Sequence, residues 1–142
     1  MQLTDAYDPQ NIFAKILRDE MPSLRVFEDE MTVAFMDIMP QAPGHVLVIP
    51  RAAATNVLTL SPDDARAVMT ITHLLAPAVQ KAMDAPGLML AQLNGSAAGQ
   101  TVPHFHMHII PRHKGLEMLG HGTQMANMDE LANIAKRIRA AI

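Results

Sequence analysis

His104, His106 and His108 occupy every second position of the stretch TVPHFHMHIIPR, Thr101 to Arg112, and Phe105, Met107, Ile109 and Ile110 around them are apolar. On a strand, residues two apart point the same way, about 6.5–7 Å from one another. The alternation therefore predicts a strand over His104–Pro111 with three imidazoles on one face and a core-facing apolar side on the other. Several readings suit such a row. Two imidazoles from one strand can chelate zinc. A third on the same straight strand reaches that ion only with bending, and neither Asp nor Glu lies between Asn94 and Arg112 to complete the site. Alternatively, a neutral imidazole, with an ordinary pKa of about 6.5, is a competent nucleophile at pH 7 while its neighbours donate protons. A plain solvated histidine face is the bland reading; it suits a lone residue such as His73 better than three in strict alternation.

The residues just upstream favour an anion. In NGSAAGQT, Asn94 to Thr101, glycines at 95 and 99 allow backbone N–H groups to turn inward, and Ser96, Gln100 and Thr101 can add side-chain donors. Such a loop is by itself more often only a turn. Placed directly before the histidine row, it points to a phosphate held against an imidazole.

The elements that must carry this site read as α+β. Ile12, Phe13, Ile16 and Leu17 recur at helical spacing within 11–20, and Pro22 stops that helix. Ser23–Glu28 and Thr32–Met36 read as a hairpin, Asp37–Gly44 as a loop punctuated by two prolines and a glycine, and His45–Ile49 as a strand apolar on both faces and so central in its sheet. A long helix follows: Ser61 is its N-cap candidate, Pro62 its first residue, Asp63 and Asp64 suit its positive end, and it runs to about Asp84 with a kink at Pro77. Its polar residues fill one arc, leaving roughly 220° mostly apolar, more than the ~100° stripe that one core needs. That width predicts a second packing partner, most simply another copy of the chain, unless another part of the same domain covers it. Gly87–Leu93 is a further strand, and Asn127 with Glu130 caps a C-terminal helix to Ile142. The sum is a two-layer fold with a mostly antiparallel sheet and a helix crossing between strands.

Composition narrows the class further. The chain has 142 residues, long enough for one domain with a real core, and 49% hydrophobic against 18% charged residues marks it as globular. A net charge of −3 removes the basic surplus that nucleic-acid binding needs. With no cysteine, disulfides, thiolate catalysis and cysteine-ligated zinc are excluded, which suits a cytoplasmic location. No secretory signal is visible, and no apolar run approaches the ~18 residues of a membrane span. Methionine occurs 12 times while aromatics make up only 4%, so the core should be aliphatic and Met-filled, with the few aromatics reserved for special places.

The block HFHMHII fits the histidine triad signature, His-x-His-x-His followed by two apolar residues. NIFAKILRDEMPS, VAFMDIMPQAPGHVLVIPR and NGSAAGQTVPHFHMHIIPR, in that order, resemble the Hint-like branch of the histidine triad (HIT) superfamily across much of the first 112 residues. The resemblance implies a single HIT domain over 1–142, with residues 1–10 as an N-terminal extension and 113–142 as a variable C-terminal segment with a helix. It implies five-stranded sheets joined across a homodimer. It also implies hydrolysis or transfer at the α-phosphate of purine nucleoside phosphoramidates or related AMP and GMP esters. By position in the motif, His106 would be the nucleophile, forming a nucleotidyl-phosphohistidine. His108 would contact the phosphate and assist the leaving group, His104 would orient the row, and His45 would sit behind it. Asn94, Gln100 and Thr101 would bind phosphate; Asp37 would hold the ribose hydroxyls, with Phe13, Phe35 and Ile38 near the base. Read from their residues alone, Asp37 is equally an Asx-turn acid, His45 a satisfied core histidine, and Phe13 and Phe35 plain core. No metal and no cofactor are implied, and lack of Cys removes the cysteine- and histidine-bound zinc of some relatives. Pro103 before the first histidine, and the absence of tryptophan from the tail, are departures that bear on substrate choice more than on chemistry. The alternatives are a dinucleoside polyphosphate hydrolase of the same superfamily and a purine nucleotide-binding scaffold with little turnover.

Overall fold

A computed structural model describes residues 1–120 and 122–142. The element order is α1 (Ile12–Leu17), β1 (Arg25–Glu28), β2 (Thr32–Met36), β3 (Val46–Pro50), α2 (Pro62–Met83), β4 (Gly87–Ala91), a 3-10 turn (Ser96–Ala98), β5 (Met107–Arg112) and α3 (Met128–Ala141). The five strands form one antiparallel sheet in the order β1-β2-β3-β5-β4, with α2 crossing from β3 to the far edge strand β4. No helix among the described residues is long and apolar enough to cross a membrane.

The period-2 pattern of the strands sorts the core into two layers. Ala34, Met36, Val46, Val48 and Ile109 face α2 and α3, whereas Val33, Phe35, Leu47 and Ile49 face α1. Phe105 and Met107 pack with the first layer, as the alternation requires. Local signals set the helix ends. The Ser61 side chain accepts from Asp64 N–H and that of Asn127 from Glu130 N–H, caps of the kind that contribute about 1 kcal/mol each. The first helix ends two residues before the Asp19 turn, where φ is +60° and helical geometry is lost; it is therefore shorter than its apolar spacing implies. Helix α2 runs unbroken through Pro77.

Two expectations change. The wide apolar arc of α2 is divided between the sheet and α3: Val68, Ile71, Leu75, Ala78 and Val79 share one cluster with Leu131, Ile134, Ala135 and Ile138. A second part of the same chain thus accounts for the width, and only scattered residues such as Met69 and Leu74 stay exposed on it. The last strand begins at Met107, not at His104. Pro103 has no N–H to give, the His104 N–H turns back to the Val102 carbonyl at 2.9 Å, and the Phe105 N–H donates to Ala54 O at 2.8 Å. The chain joins the ladder only where Met107 meets Val48. Smaller shifts occur elsewhere: His45 precedes β3, and β4 stops at Ala91.

Candidate active site

The bend before β5 breaks the straight row into a curved one and buries all four imidazoles. His45 and His104 are 0% exposed, His108 3% and His106 5%. The rings follow one another: His106 and His108 have centroids 4.9 Å apart, and His108 and His45 5.1 Å. Phe13 from α1 packs edge-on against His106 at 5.0 Å and also meets Phe35 and His104. The sole ladder histidine of the row, His108, stands opposite Leu47 and Ala91 on the face that α1 covers.

Hydrogen bonds assign the protons. His104 Nε2 lies 2.8 Å from the Pro50 carbonyl, which can only accept, so Nε2 carries the hydrogen. Its Nδ1 then accepts from the Tyr7 hydroxyl at 2.7 Å. Burial pushes the His104 pKa down, against the opposing pull of the Pro50 bond, and so favours this neutral ring. His106 Nδ1 lies 2.6 Å from the His104 carbonyl and must donate to it, which puts the ring lone pair on Nε2. On the other side, the Gln41 N–H donates to His45 Nδ1 at 3.1 Å. His45 Nε2 therefore carries its proton and donates to His108 Nδ1 at 2.9 Å, and His108 holds its own hydrogen on Nε2. One imidazole thus holds a lone pair on Nε2 and its neighbour an N–H on Nε2.

Both line a cavity of about 350 Å³ together with Phe13, Phe35, Asp37, Ile38 and Thr101, a volume at the lower end for small-molecule sites. The other predicted residues stand outside its wall. Gln100 accepts from Gly95 N–H through Oε1 and donates through Nε2 to the Thr55 and Val102 carbonyls, so it braces the loop. Asn94 pairs with Gln92 and accepts from Val57 N–H. The loop does turn on Gly95 and Gly99, with φ of +81° and +96°. Its N–H groups at Ser96, Ala98, Gly99 and Gln100 nevertheless donate to chain carbonyls, which leaves little of the anion nest that its composition suggests. Asp37 is the Asx-turn acid: Oδ1 accepts from Met39 N–H, while Oδ2 lies 3.5 Å from His45 Nδ1 and the residue borders the cavity.

Several contributors have no local sequence signal. Gln41 acts through its main-chain N–H. Gly122 and Met128 bring the tail to the cavity, where the Ala126 N–H donates to Ile38 O and Leu119 exchanges hydrogen bonds with Gln41. Tyr7 carried one hint, as the only tyrosine of an aromatic-poor chain. Among the described residues, Asp37, His45 and His108 bring ligand-type atoms within 4.8 Å of one another. Ligand nitrogens of a tetrahedral zinc stand about 3.3 Å apart. The 2.9 Å His45–His108 separation is instead that of a hydrogen bond.

An open antiparallel sheet that sets two buried imidazoles in opposite tautomers at one cavity defines a class of proteins built around a histidine row. The chain belongs to the HIT family: a profile described as the HIT domain matches residues 18–115. It is 33% identical over 137 residues to the adenosine 5′-monophosphoramidase HNT1 of Saccharomyces cerevisiae, covering 95% of this chain and 84% of that protein. It is 37% identical over 101 residues to the adenylylsulfatase HINT3 of Arabidopsis thaliana, covering 71% and 51%. A crystal structure of a Hit-like protein involved in cell-cycle regulation from Bartonella henselae superposes with a TM-score of 0.92 at 46% identity, over 97% of this chain and 100% of that one. Tyr7, Phe13, Gly122 and Met128 lie outside the residues that the profile matches.

Proposed function

We propose that this protein is a nucleotide hydrolase or transferase acting at the α-phosphate of purine nucleoside phosphoramidates or related AMP and GMP esters, through a nucleotidyl-phosphohistidine on His106. The pair of opposed tautomers carries this reading: the lone pair on His106 Nε2 and the hydrogen on His108 Nε2 belong to rings that border the same cavity. His106 Nε2 attacks the α-phosphorus and the bond to the leaving group breaks. His108 Nε2–H meets the charge that develops on the phosphoryl oxygens, and the leaving group takes a proton from solvent as it departs. Water then attacks the phosphohistidine, freeing His106 Nε2, gives a proton back to solvent and releases the nucleoside monophosphate. Thr101 donates to the phosphate, Asn94 and Gln100 serve it through the loop they brace, and Asp37 accepts from the ribose. Phe13, Phe35 and Ile38 form the apolar seat of the base. Support comes from the relatives that are a monophosphoramidase and an adenylylsulfatase. In a panel of adenosine and guanosine phosphoramidates and dinucleoside polyphosphates, the phosphoramidates should show kcat/KM higher by at least about tenfold. The reverse order would assign the chain to polyphosphate hydrolysis. Tight purine nucleotide binding without turnover of either class would make it a scaffold.

The working unit in this reading is a homodimer joined at the sheet edge. Strand β4 is paired on one side only, by β5, and Leu90 on it is 44% exposed. An exposed edge with an apolar side chain invites a second strand. Leu90→Arg should convert the dimer to a monomer in sedimentation velocity; a wild-type protein that sediments as a monomer defeats the assignment.

A further inference from the structure

Tyr7 belongs to the segment ahead of α1, yet its hydroxyl reaches across 97 positions of sequence to His104 Nδ1 at 2.7 Å, and its ring meets that imidazole edge-on at 5.7 Å. The direction of the bond is set by the other end of the ring. Because His104 Nε2–H is committed to the Pro50 carbonyl, Nδ1 has only a lone pair to offer, and the tyrosine must be the donor. The phenol keeps its proton at neutral pH. Burial raises its pKa above the ordinary value, although Asn11 and Arg18 oppose the shift.

The segment that presents Tyr7 is tied down on both sides. The Met1 carbonyl accepts from Ser96 N–H, the Leu3 carbonyl from Asn56 Nδ2, and the Pro9 carbonyl from the Arg18 guanidinium. His104 sits in the bend that precedes β5, outside the ladder, so no strand pairing holds its peptide in place. Two main-chain bonds tie it, His104 N–H to Val102 O and Phe105 N–H to Ala54 O, and the ring adds a clamp, with Pro50 at one nitrogen and Tyr7 at the other. The same residue's carbonyl accepts the Nδ1–H of His106 and so decides which nitrogen of His106 carries the lone pair.

We propose that Tyr7 is a positioning residue for the reaction: by donating to His104 Nδ1 it completes the clamp that Pro50 begins at Nε2, holds one orientation of that ring, and thereby steadies the His104 carbonyl on His106 Nδ1. The proposal rests on the reading of His106 as the nucleophile. Tyr7→Phe removes the hydroxyl and keeps the ring. It should lower kcat on an adenosine phosphoramidate about tenfold while KM stays within about twofold, since the substrate never touches this residue. Long-range 1H–15N spectra of the imidazoles give a readout that mere loss of stability does not move. The wild type should show single neutral tautomers, Nε2–H for His104 and Nδ1–H for His106, and in Tyr7→Phe, where Pro50 still holds the Nε2–H form, the His104 Nδ1 resonance should move downfield to the position of an acceptor nitrogen that has lost its donor. Because the chain has one tyrosine, biosynthetic 3-fluorotyrosine alters this position alone; it keeps the hydroxyl and should keep both the wild-type kcat and the wild-type imidazole spectrum. Wild-type kcat in Tyr7→Phe, or a loss of kcat with an unshifted His104 spectrum, overturns the proposal. If the wild type turns over no nucleotide at all, the reading of function fails. The spectrum then still decides whether Tyr7 donates to His104 Nδ1.

Discussion

His106→Ala should reduce kcat on an adenosine phosphoramidate by at least about 10⁴-fold, the scale seen when a covalent nucleophile is removed from an otherwise intact site. Among the described residues that line the cavity, His108 is the other imidazole. His108 borders the same space, but its Nε2 carries a hydrogen because Nδ1 accepts from His45. The alanine leaves the rest of the row in place: His104 keeps both of its ring partners and His108 keeps His45. The loss should therefore fall on chemistry and not on folding, with the melting temperature within a few degrees of wild type. Rapid quenching with a labelled nucleotide should trap a nucleotidyl-protein in the wild type and none in the variant. A labelled variant, or one retaining more than about a hundredth of wild-type kcat, would remove His106 from the covalent step.

His108→Gln should have the next largest effect, a fall in kcat of about 10²–10³-fold with a smaller change in KM. Glutamine can still offer an N–H, but not at the place where His45 holds the imidazole Nε2. The hydrogen bond aimed at the developing charge is then missing in the transition state more than in the ground state. The two variants differ in a way that single activities do not show: His108→Gln should still accumulate the labelled nucleotidyl-protein, slowly, because the nucleophile survives. If it traps none although nucleotide still binds, His108 takes part in the covalent step itself. A weaker echo is expected one residue back. His45→Leu removes the donor to His108 Nδ1 and lets both tautomers of His108 form, so only part of the population keeps the productive hydrogen.

Much of the scaffold was legible because its signals are local. The Ser61–Pro62 start of α2, the Asn127 cap of α3 and the two-layer alternation of β2, β3 and β5 each involve residues within a few positions of one another. The errors have a common origin in long-range choices. Alternation of polar and apolar residues reports extended backbone, and His104 to His106 are not within the ladder, but alternation does not report which N–H groups find a neighbouring strand. That depended on Ala54, some fifty positions away, which takes the Phe105 N–H. The width of the α2 apolar arc correctly required a second partner, yet an arc does not say whether that partner is α3 or another molecule. The phosphate loop was overread: its glycines supply the turn, but side-chain types alone could not show that Gln100 bonds inward on three sides. Spacing could not rank the three histidines either. Their tautomers are told apart by hydrogen bonds to carbonyls, a main-chain N–H and a distant phenol, none of which leaves a mark in the spacing.

The separation of these partners along the chain also has a consequence in time. The His45–His108 bond closes 63 positions and the Tyr7–His104 bond 97, and the first of them exists only once β3 and β5 lie side by side. Contacts of such long range form late in folding, after the local hairpin of β1 with β2. A nascent or partly refolded chain thus has its histidines without fixed tautomers, and under the reading of His106 as nucleophile turnover should return only once the sheet is whole. Activity regained on refolding would then report the completion of the topology.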